Sequence, residues 1–230
     1  MNSNFQKGES YVVEYKKTKP ANNIGLGEEY NEYNFFPERN SEDYKTEKPS
    51  LLLHSCCGPC STSVIERLIR EYKITVFFYN PNITDEDEYL KRKETQLKFI
   101  ESYNQSVDKI DTISFLEGPY HPDVFKELSR GLESEPEGGS RCIKCFRLRL
   151  EKTAETAKMW GNDLFATTLT VSPHKNFAII NKIGADLAIK YGLSYLAEDF
   201  KKKAGYQRSI EMSKDYGLYR QQFCGCDYSK

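Results

Sequence analysis

Apolar and polar positions fall into blocks of two periods along residues 50–218. Leu51-Leu52-Leu53-His54 is a short continuous apolar run, the pattern of a strand covered on both faces. A Gly58-Pro59 turn follows, then helical spacing at Val64, Leu68 and Ile69 predicts a helix over residues 61–71. Residues 74–79 (ITVFFY) are β-rich and closed by Asn80-Pro81-Asn82. Residues 85–103 read as a charged helix, residues 109–115 alternate as a strand, and residues 121–130 read as a short helix. Gly and Pro punctuate residues 131–140 (GLESEPEGGS) as a loop. A long helix over 141–160 carries Leu148, Ala154 and Ala157 on its core face. A strand over 164–169, a helix over 175–191, a short strand over 193–196 and a last helix over 206–216 complete the order, ahead of a cysteine-bearing tail.

Strands alternating with helices of this length predict an α/β protein, a parallel sheet flanked by helices on both faces. Ligands of such sheets bind beyond the carboxyl ends of the strands, where strand order reverses. The first strand of the series ends at Ser55, so Cys56, Cys57 and Cys60 fall where this fold places its site. Residues 1–48 are polar, with five tyrosines and Phe35-Phe36. They read as an extension, loose or strapped on by aromatic anchors, ahead of a domain over residues 49–230.

Composition narrows the class. With 13% aromatic residues and clear apolar runs, a mean hydropathy of -0.69 does not describe a disordered chain. A chain of 230 residues buries enough surface to need no disulfides. No apolar stretch approaches a membrane span, and residues 1–25 lack the core of a signal peptide. These readings predict a cytoplasmic protein in a reducing compartment, where clustered cysteines bind metal or do redox chemistry. The net charge of -1 divides unevenly: residues 141–230 carry 16 Lys and Arg against 9 Asp and Glu. A basic half beside an acidic one hints at an anionic partner.

The seven cysteines form three groups: Cys56-Cys57-Gly58-Pro59-Cys60, Cys142-Ile143-Lys144-Cys145 and Cys224-Gly225-Cys226. Three chemistries compete. A structural zinc takes Cys57, Cys60, Cys142 and Cys145 in a tetrahedron. A thioredoxin-like dithiol uses Cys57 and Cys60 at a helix start, where the dipole lowers a thiol pKa. An iron–sulfur cluster takes four thiolates and leaves three for a second function, the one reading that uses the whole set. Cys142 and Cys145, three apart at a helix start, share a face. Both helix starts aim positive dipole ends at one place, with Arg141 and Lys144 as candidate reinforcement. Cys224 and Cys226 can act as a strained redox pair or bind a second iron, and the tail suits a group that swings between partners.

Many separated motifs then resemble one family, the cobalamin-independent epoxyqueuosine reductases (QueH). They are Leu52-Leu53-His54-Ser55-Cys56-Cys57-Gly58-Pro59-Cys60-Ser61-Thr62, Tyr79-Asn80-Pro81-Asn82-Ile83, and Glu135-Pro136-Glu137-Gly138-Gly139 leading into the segment from Arg141 to Leu150. The series continues through Thr167-Thr168-Leu169-Thr170-Val171-Ser172-Pro173-His174-Lys175, Asp199-Phe200-Lys201-Lys202 with Gly205-Tyr206, and Tyr219-Arg220-Gln221-Gln222-Phe223-Cys224-Gly225-Cys226. The resemblance covers roughly residues 50–228.

That resemblance implies removal of the epoxide oxygen of epoxyqueuosine in tRNA, the last step to queuosine. It implies a nucleotide α-hydrolase-like (HUP) sandwich with a cysteine-rich metal-binding insertion and tail, the usual phosphate loop replaced by the cysteine turn. It implies Cys56, Cys57, Cys142 and Cys145 as ligands of a [4Fe-4S] cluster, and Cys224 and Cys226 as the redox-active pair or ligands of an additional iron. Cys60 is left to replace a ligand, bind a second metal or serve the structure. An external electron donor is required. Asp199, Tyr206 and His174 are candidate proton donors, while His54 reads as a satisfied core residue. Lys201, Lys202, Lys203, Lys175, Arg147 and Arg149 are candidate phosphate contacts, and Tyr206 or Phe146 candidate stacking partners for an extruded base. Two other classes compete: a zinc-stabilised RNA-binding module without catalysis, and a thiol oxidoreductase acting on proteins.

Overall fold

Leu51, Leu52 and Leu53 are each at most 1% exposed, because strand β2 (Ser50–His54) has a strand on each edge and helices on each face. The computed structural model describes residues 11–13 and 48–229. In chain order it contains β1 (Tyr11–Val13), β2, α1 (Gly58–Leu68), β3 (Lys73–Phe78), α2 (Glu86–Asn104), β4 (Ser114–Glu117), α3 (Pro122–Ser129), α4 (Ser140–Met159), β5 (Leu164–Thr167), α5 (Phe177–Tyr191), β6 (Ser194–Ala197) and α6 (Gly205–Asp215). The sheet runs β1-β6-β5-β2-β3-β4. Its five strands from β2 onward are parallel, and β1 joins the β6 edge antiparallel.

Alternation along each strand sorts side chains into two cores. Leu51, Leu53, Val76 and Phe78 pack with Ile65, Phe99 and Met212 from α1, α2 and α6. Leu52, Phe77 and Phe165 pack on the other face with Leu150, Ile183 and Leu187 from α4 and α5. The result is the α/β/α sandwich of the HUP class. From β2 the chain builds outward to β3 and β4, then returns to the other edge of β2 for β5 and β6. The carboxyl ends of β2 and β5 therefore border the point of order reversal. His54 bridges it: its Nδ1 lies 2.9 Å from Thr167 Oγ1 and its Nε2 3.2 Å from the Tyr79 carbonyl. Burial pushes its pKa down to about 3, so the ring is neutral and belongs to the core, as the sequence predicts.

The structure departs from the periodicity at four places. Residues 109–115 alternate, yet Lys109–Asp111 form a 3-10 turn with Ile110 68% exposed. Asn104 brackets Ile113, donating to its carbonyl and accepting from its N–H, so pairing with β3 starts only at Ser114. Strand β5 ends at Thr167, whose side chain accepts from Leu169 N–H and turns the chain into a 3-10 turn, Thr168–Val171. Helix α1 starts at Gly58 rather than 61, so Cys57 is its N-cap and Cys60 lies in its first turn. The fourth is β1, inside the extension predicted over residues 1–48; the rest of that extension up to residue 47 lies outside the described residues.

Candidate metal centre

The turn after β2 is held rigidly from three sides. Asn80 Nδ2 donates to the Ser55 carbonyl at 2.9 Å, and Ser55 Oγ donates to Gln96 Oε1 at 2.8 Å. Gln96 Nε2 in turn donates to Ser61 Oγ at 2.9 Å. Gly58 lets α1 approach α2 closely: a Cβ there would sit 2.8 Å from the Thr95 carbonyl oxygen. With Cys57 extended (φ -173°, ψ 153°) before the first helical residue, the free N–H end of α1 opens beside the three thiols.

The sulfurs of Cys56, Cys57 and Cys60 all lie within 4.8 Å of one another, with Cys56 and Cys57 Sγ at 4.0 Å. Hydrogen bonds from Cys57 and Cys60 hold the Cys56 thiol well below its usual range, helped by the Arg149 and Lys175 charges. The reciprocal bond to Cys56 pushes Cys57 up to about 12, and the same bond raises Cys60. Three soft donors this close, with no carboxylate in the group, fit a thiophilic metal, zinc or iron–sulfur. Cys142 and Cys145 are not part of this close group.

They are nevertheless at the same end of the sheet. Both lie in the first turns of α4, and Arg149 stands seven and four residues further along the same face. Cys145 is buried with Cys226 of the tail and Phe125 in one small apolar cluster. Gln221 from the tail donates to Cys57 Sγ at 2.9 Å, joining the first and third groups. Arg149 lines one cleft of about 460 Å³ with Cys56, Cys60 and Cys224. Cys57 and Cys142 are thus not on opposite sides of the molecule.

The tail, which the sequence reads as a group that swings, is docked on the domain in this structure. Arg92, 1% exposed on α2, donates from Nη1 to the Cys224 carbonyl at 3.0 Å and from Nη2 to the Phe223 carbonyl at 3.2 Å. Its Nε donates to Glu88 at 2.6 Å, so the clamp is charge-neutral. Thr84 N–H donates to the Gly225 carbonyl at 3.2 Å, and Ser229 donates twice to that of Cys226. Gly225 has φ +108°, a conformation a side chain would strain, with Arg92 packed against it. Docked this way, Cys226 donates to Cys224, and that bond, with Lys175 Nζ 4.0 Å from Cys224 Sγ, lowers the Cys224 pKa to about 5. Cys226 is pushed up correspondingly.

The remaining predicted residues separate. Tyr206 and His174 line the cleft, with the Arg220 guanidinium 5.4 Å over the Tyr206 ring. Asp199 is not a lining residue; its carboxylate lies 3.1 Å from Lys201 Nζ, and that lysine stands over Phe177. Lys202 and Lys203 are exposed on the turn before α6. Arg147 is half-exposed, 3.7 Å from Asp186. Phe146 is buried in the core of α4 and α5. Arg149 is 1% exposed and faces the thiols, not the outer surface. Arg141 is equally buried and binds the carbonyls of Leu132, Glu133 and Glu135, fixing the loop that carries Cys142. Gln221, Arg92 and Arg220 have no role predicted from sequence.

Fold and site together define a doubly wound α/β protein with three clustered thiols beyond the carboxyl end of β2, a donor set that fits a thiophilic metal. Residues 51–230 match the family described as Epoxyqueuosine reductase QueH, and the chain belongs to that family. It is 47% identical over 182 residues to the Streptococcus pyogenes serotype M1 protein named Epoxyqueuosine reductase QueH, covering 79% of this chain and 71% of that one. The protein of the same name from Staphylococcus epidermidis is 43% identical over 185 residues, 80% and 77% of the two chains. The Thermotoga maritima protein of that name is 33% identical over 183 residues and is covered to 90%. Among the described residues no helix is long and apolar enough to cross a membrane.

Proposed function

We propose that this chain is an epoxyqueuosine reductase, removing the epoxide oxygen from epoxyqueuosine in tRNA to give queuosine. The observation that carries the reading is the meeting of the first and third cysteine groups at one cationic cleft, where Gln221 donates to Cys57 across 164 residues and Arg149, from the helix that bears Cys142 and Cys145, joins the lining. The reaction consumes two electrons and two protons and releases the oxygen as water. Cys56, Cys57, Cys142 and Cys145 would hold a [4Fe-4S] cluster, which would pass electrons one at a time. Cys60 is close enough to Cys56 and Cys57 to exchange for one of those ligands or to hold an additional iron. Cys224 and Cys226 are the redox pair: with Cys224 already a thiolate, closing their disulfide releases the two electrons the substrate consumes and one proton, and the second proton comes from solvent by way of the cleft wall. An external donor then restores the dithiol. Tyr206 and His174, at the cleft wall, are the candidate donors of a proton to the leaving oxygen. Asp199 orients Lys201 instead of facing the cleft. A tRNA substrate puts the enzyme in the cytoplasm. The family match from residue 51 supports a catalytic domain over 49–230 with residues 1–48 as its extension.

Anaerobically reconstituted protein with a strong reductant tests the reading. It should be brown, carry about four irons per chain and convert epoxyqueuosine-tRNA to queuosine-tRNA. A colourless zinc protein that binds tRNA without turning it over would replace this reading with the RNA-binding module, and protein disulfide exchange alone with the thiol oxidoreductase.

Lys202 and Lys203 are the exposed members of the lysine run and the best placed for backbone phosphates. Changing both to Gln should weaken tRNA binding and reduce the slope of log affinity against log salt by about one for each phosphate no longer neutralised. An identical slope in the variant would remove them from the interface.

A further inference from the structure

We propose that Arg149 is a positioning residue for the redox centre: its buried guanidinium, on the helical face of Cys142 and Cys145, hydrogen-bonds the sulfurs of the bound cluster and raises its reduction potential. This rests on the cluster reading above.

Among the described cations that line the cleft, Arg149 is the buried one without an ion pair; Arg220 also has none but is partly exposed. Arg92 is neutralised by Glu88, and Arg141 meets three carbonyls through Nη1, with only its Nε left without a partner. Arg149 is 1% exposed and, among the described residues, has no ion pair; its Nε and Nη2 are buried without a hydrogen-bond partner. Its one ring contact is the face of Phe146, 6.0 Å away on the preceding turn. A buried guanidinium in that condition costs several kcal/mol, and each orphaned N–H adds to it. The fold must therefore recover that energy from an anionic acceptor that meets these donors.

The acceptors at hand are sulfurs. Cys142, Cys145 and Arg149 occur at i, i+3 and i+7 of α4 and share one helical face, and Arg149 from that face lines the cleft with Cys56, Cys60 and Cys224. Burial works against the arginine charge, and the neighbouring sulfurs of Cys145, Cys224, Cys56 and Cys142 favour it. All three cysteine groups thus act on this one side chain. Lys175 also brings a positive charge to the cleft, but its Nζ is engaged with Cys224. Arg149 differs in having a planar fork of free donors.

One-electron reduction of the cluster by a low-potential donor adds one negative charge to the centre and moves no proton. A fixed cation and N–H donors at the sulfurs stabilise that added charge and make the centre easier to reduce. The effect is on potential, with ligand number unchanged.

The test compares wild type, Arg149→Gln and Arg149→Lys after anaerobic loading with iron and sulfide. Iron and sulfide per chain are measured, and the midpoint potential is read by a redox titration followed by electron paramagnetic resonance. Equal loading is expected, with reduction of Arg149→Gln disfavoured at least about tenfold, about 59 mV for a one-electron couple. Arg149→Lys, which keeps charge but loses the fork, should fall between. Equal loading with Arg149→Gln titrating as wild type overturns the proposal. If Arg149→Gln takes up no iron, Arg149→Lys decides: a wild-type potential there overturns it. Wild-type chain that takes up no iron–sulfur overturns the cluster reading itself, and this inference with it.

Discussion

Cys142→Ala should leave the chain folded and strip it of iron. Cys142 is half-buried in the first turn of α4, and the helix is docked by residues further along, Phe146, Leu150, Ala154 and Ala157, each at most 5% exposed. Arg141, not Cys142, anchors the preceding loop through its three carbonyl contacts. Removing one partly exposed thiol therefore costs at most about 1 kcal/mol of folding free energy. A four-thiolate centre that loses a ligand has no carboxylate in its close donor group to replace it. Iron after anaerobic reconstitution should fall from about four per chain to near zero, while circular dichroism stays that of wild type. Turnover of epoxyqueuosine-tRNA should drop by at least about a thousandfold, equivalent to about 4 kcal/mol in the barrier. Unchanged iron and an unchanged chromophore would show that Cys142 is no ligand, and would turn attention to Cys60, which is already within 4.8 Å of Cys56 and Cys57.

Sequence legibility follows how local each cause is. The apolar run at Leu51, Leu52 and Leu53 and the strand–helix alternation are local signals, and they lead to the parallel sheet. Cysteine spacing and the position of Cys56 after a strand mark the site from sequence alone. What stays hidden depends on contacts distant in sequence. Residues 85–103 look like a solvated charged helix, and only the tail arriving 131 residues later makes Arg92 a buried clamp. That arrival also docks a cysteine-bearing tail that looks free in the sequence. Arg149 is legible in principle: its spacing from Cys142 and Cys145 puts it on their face, but a basic helix in a tRNA-directed chain invites a phosphate reading instead. Gln221 lies within a family motif, yet nothing in the chain says that its amide meets Cys57.

Cys224→Ser should keep the iron and lose the reaction. Serine matches cysteine in shape, and what docks this segment is backbone: the Phe223 and Cys224 carbonyls on Arg92 and the Gly225 carbonyl on Thr84. None of these contacts involves the sulfur, so the tail should stay in place and Gln221 should still reach Cys57. The chemistry of position 224 changes completely. In wild type the thiol is lowered to about 5 by the Cys226 hydrogen bond, with Lys175 beside it, so thiolate is ready at neutral pH. A serine hydroxyl stays protonated there and forms no disulfide. The two electrons and one proton that closing the Cys224 thiolate onto the Cys226 thiol would release are then missing, and an external donor has no pair to regenerate. Single-turnover assays should show a loss of at least about a thousandfold, with iron per chain as in wild type. The paired variant Cys224→Ser/Cys226→Ser should match the single one, because a redox pair fails as a unit. A double variant that still reduces epoxyqueuosine-tRNA at full rate would remove the tail from the electron path, leaving both electrons to the metal centre.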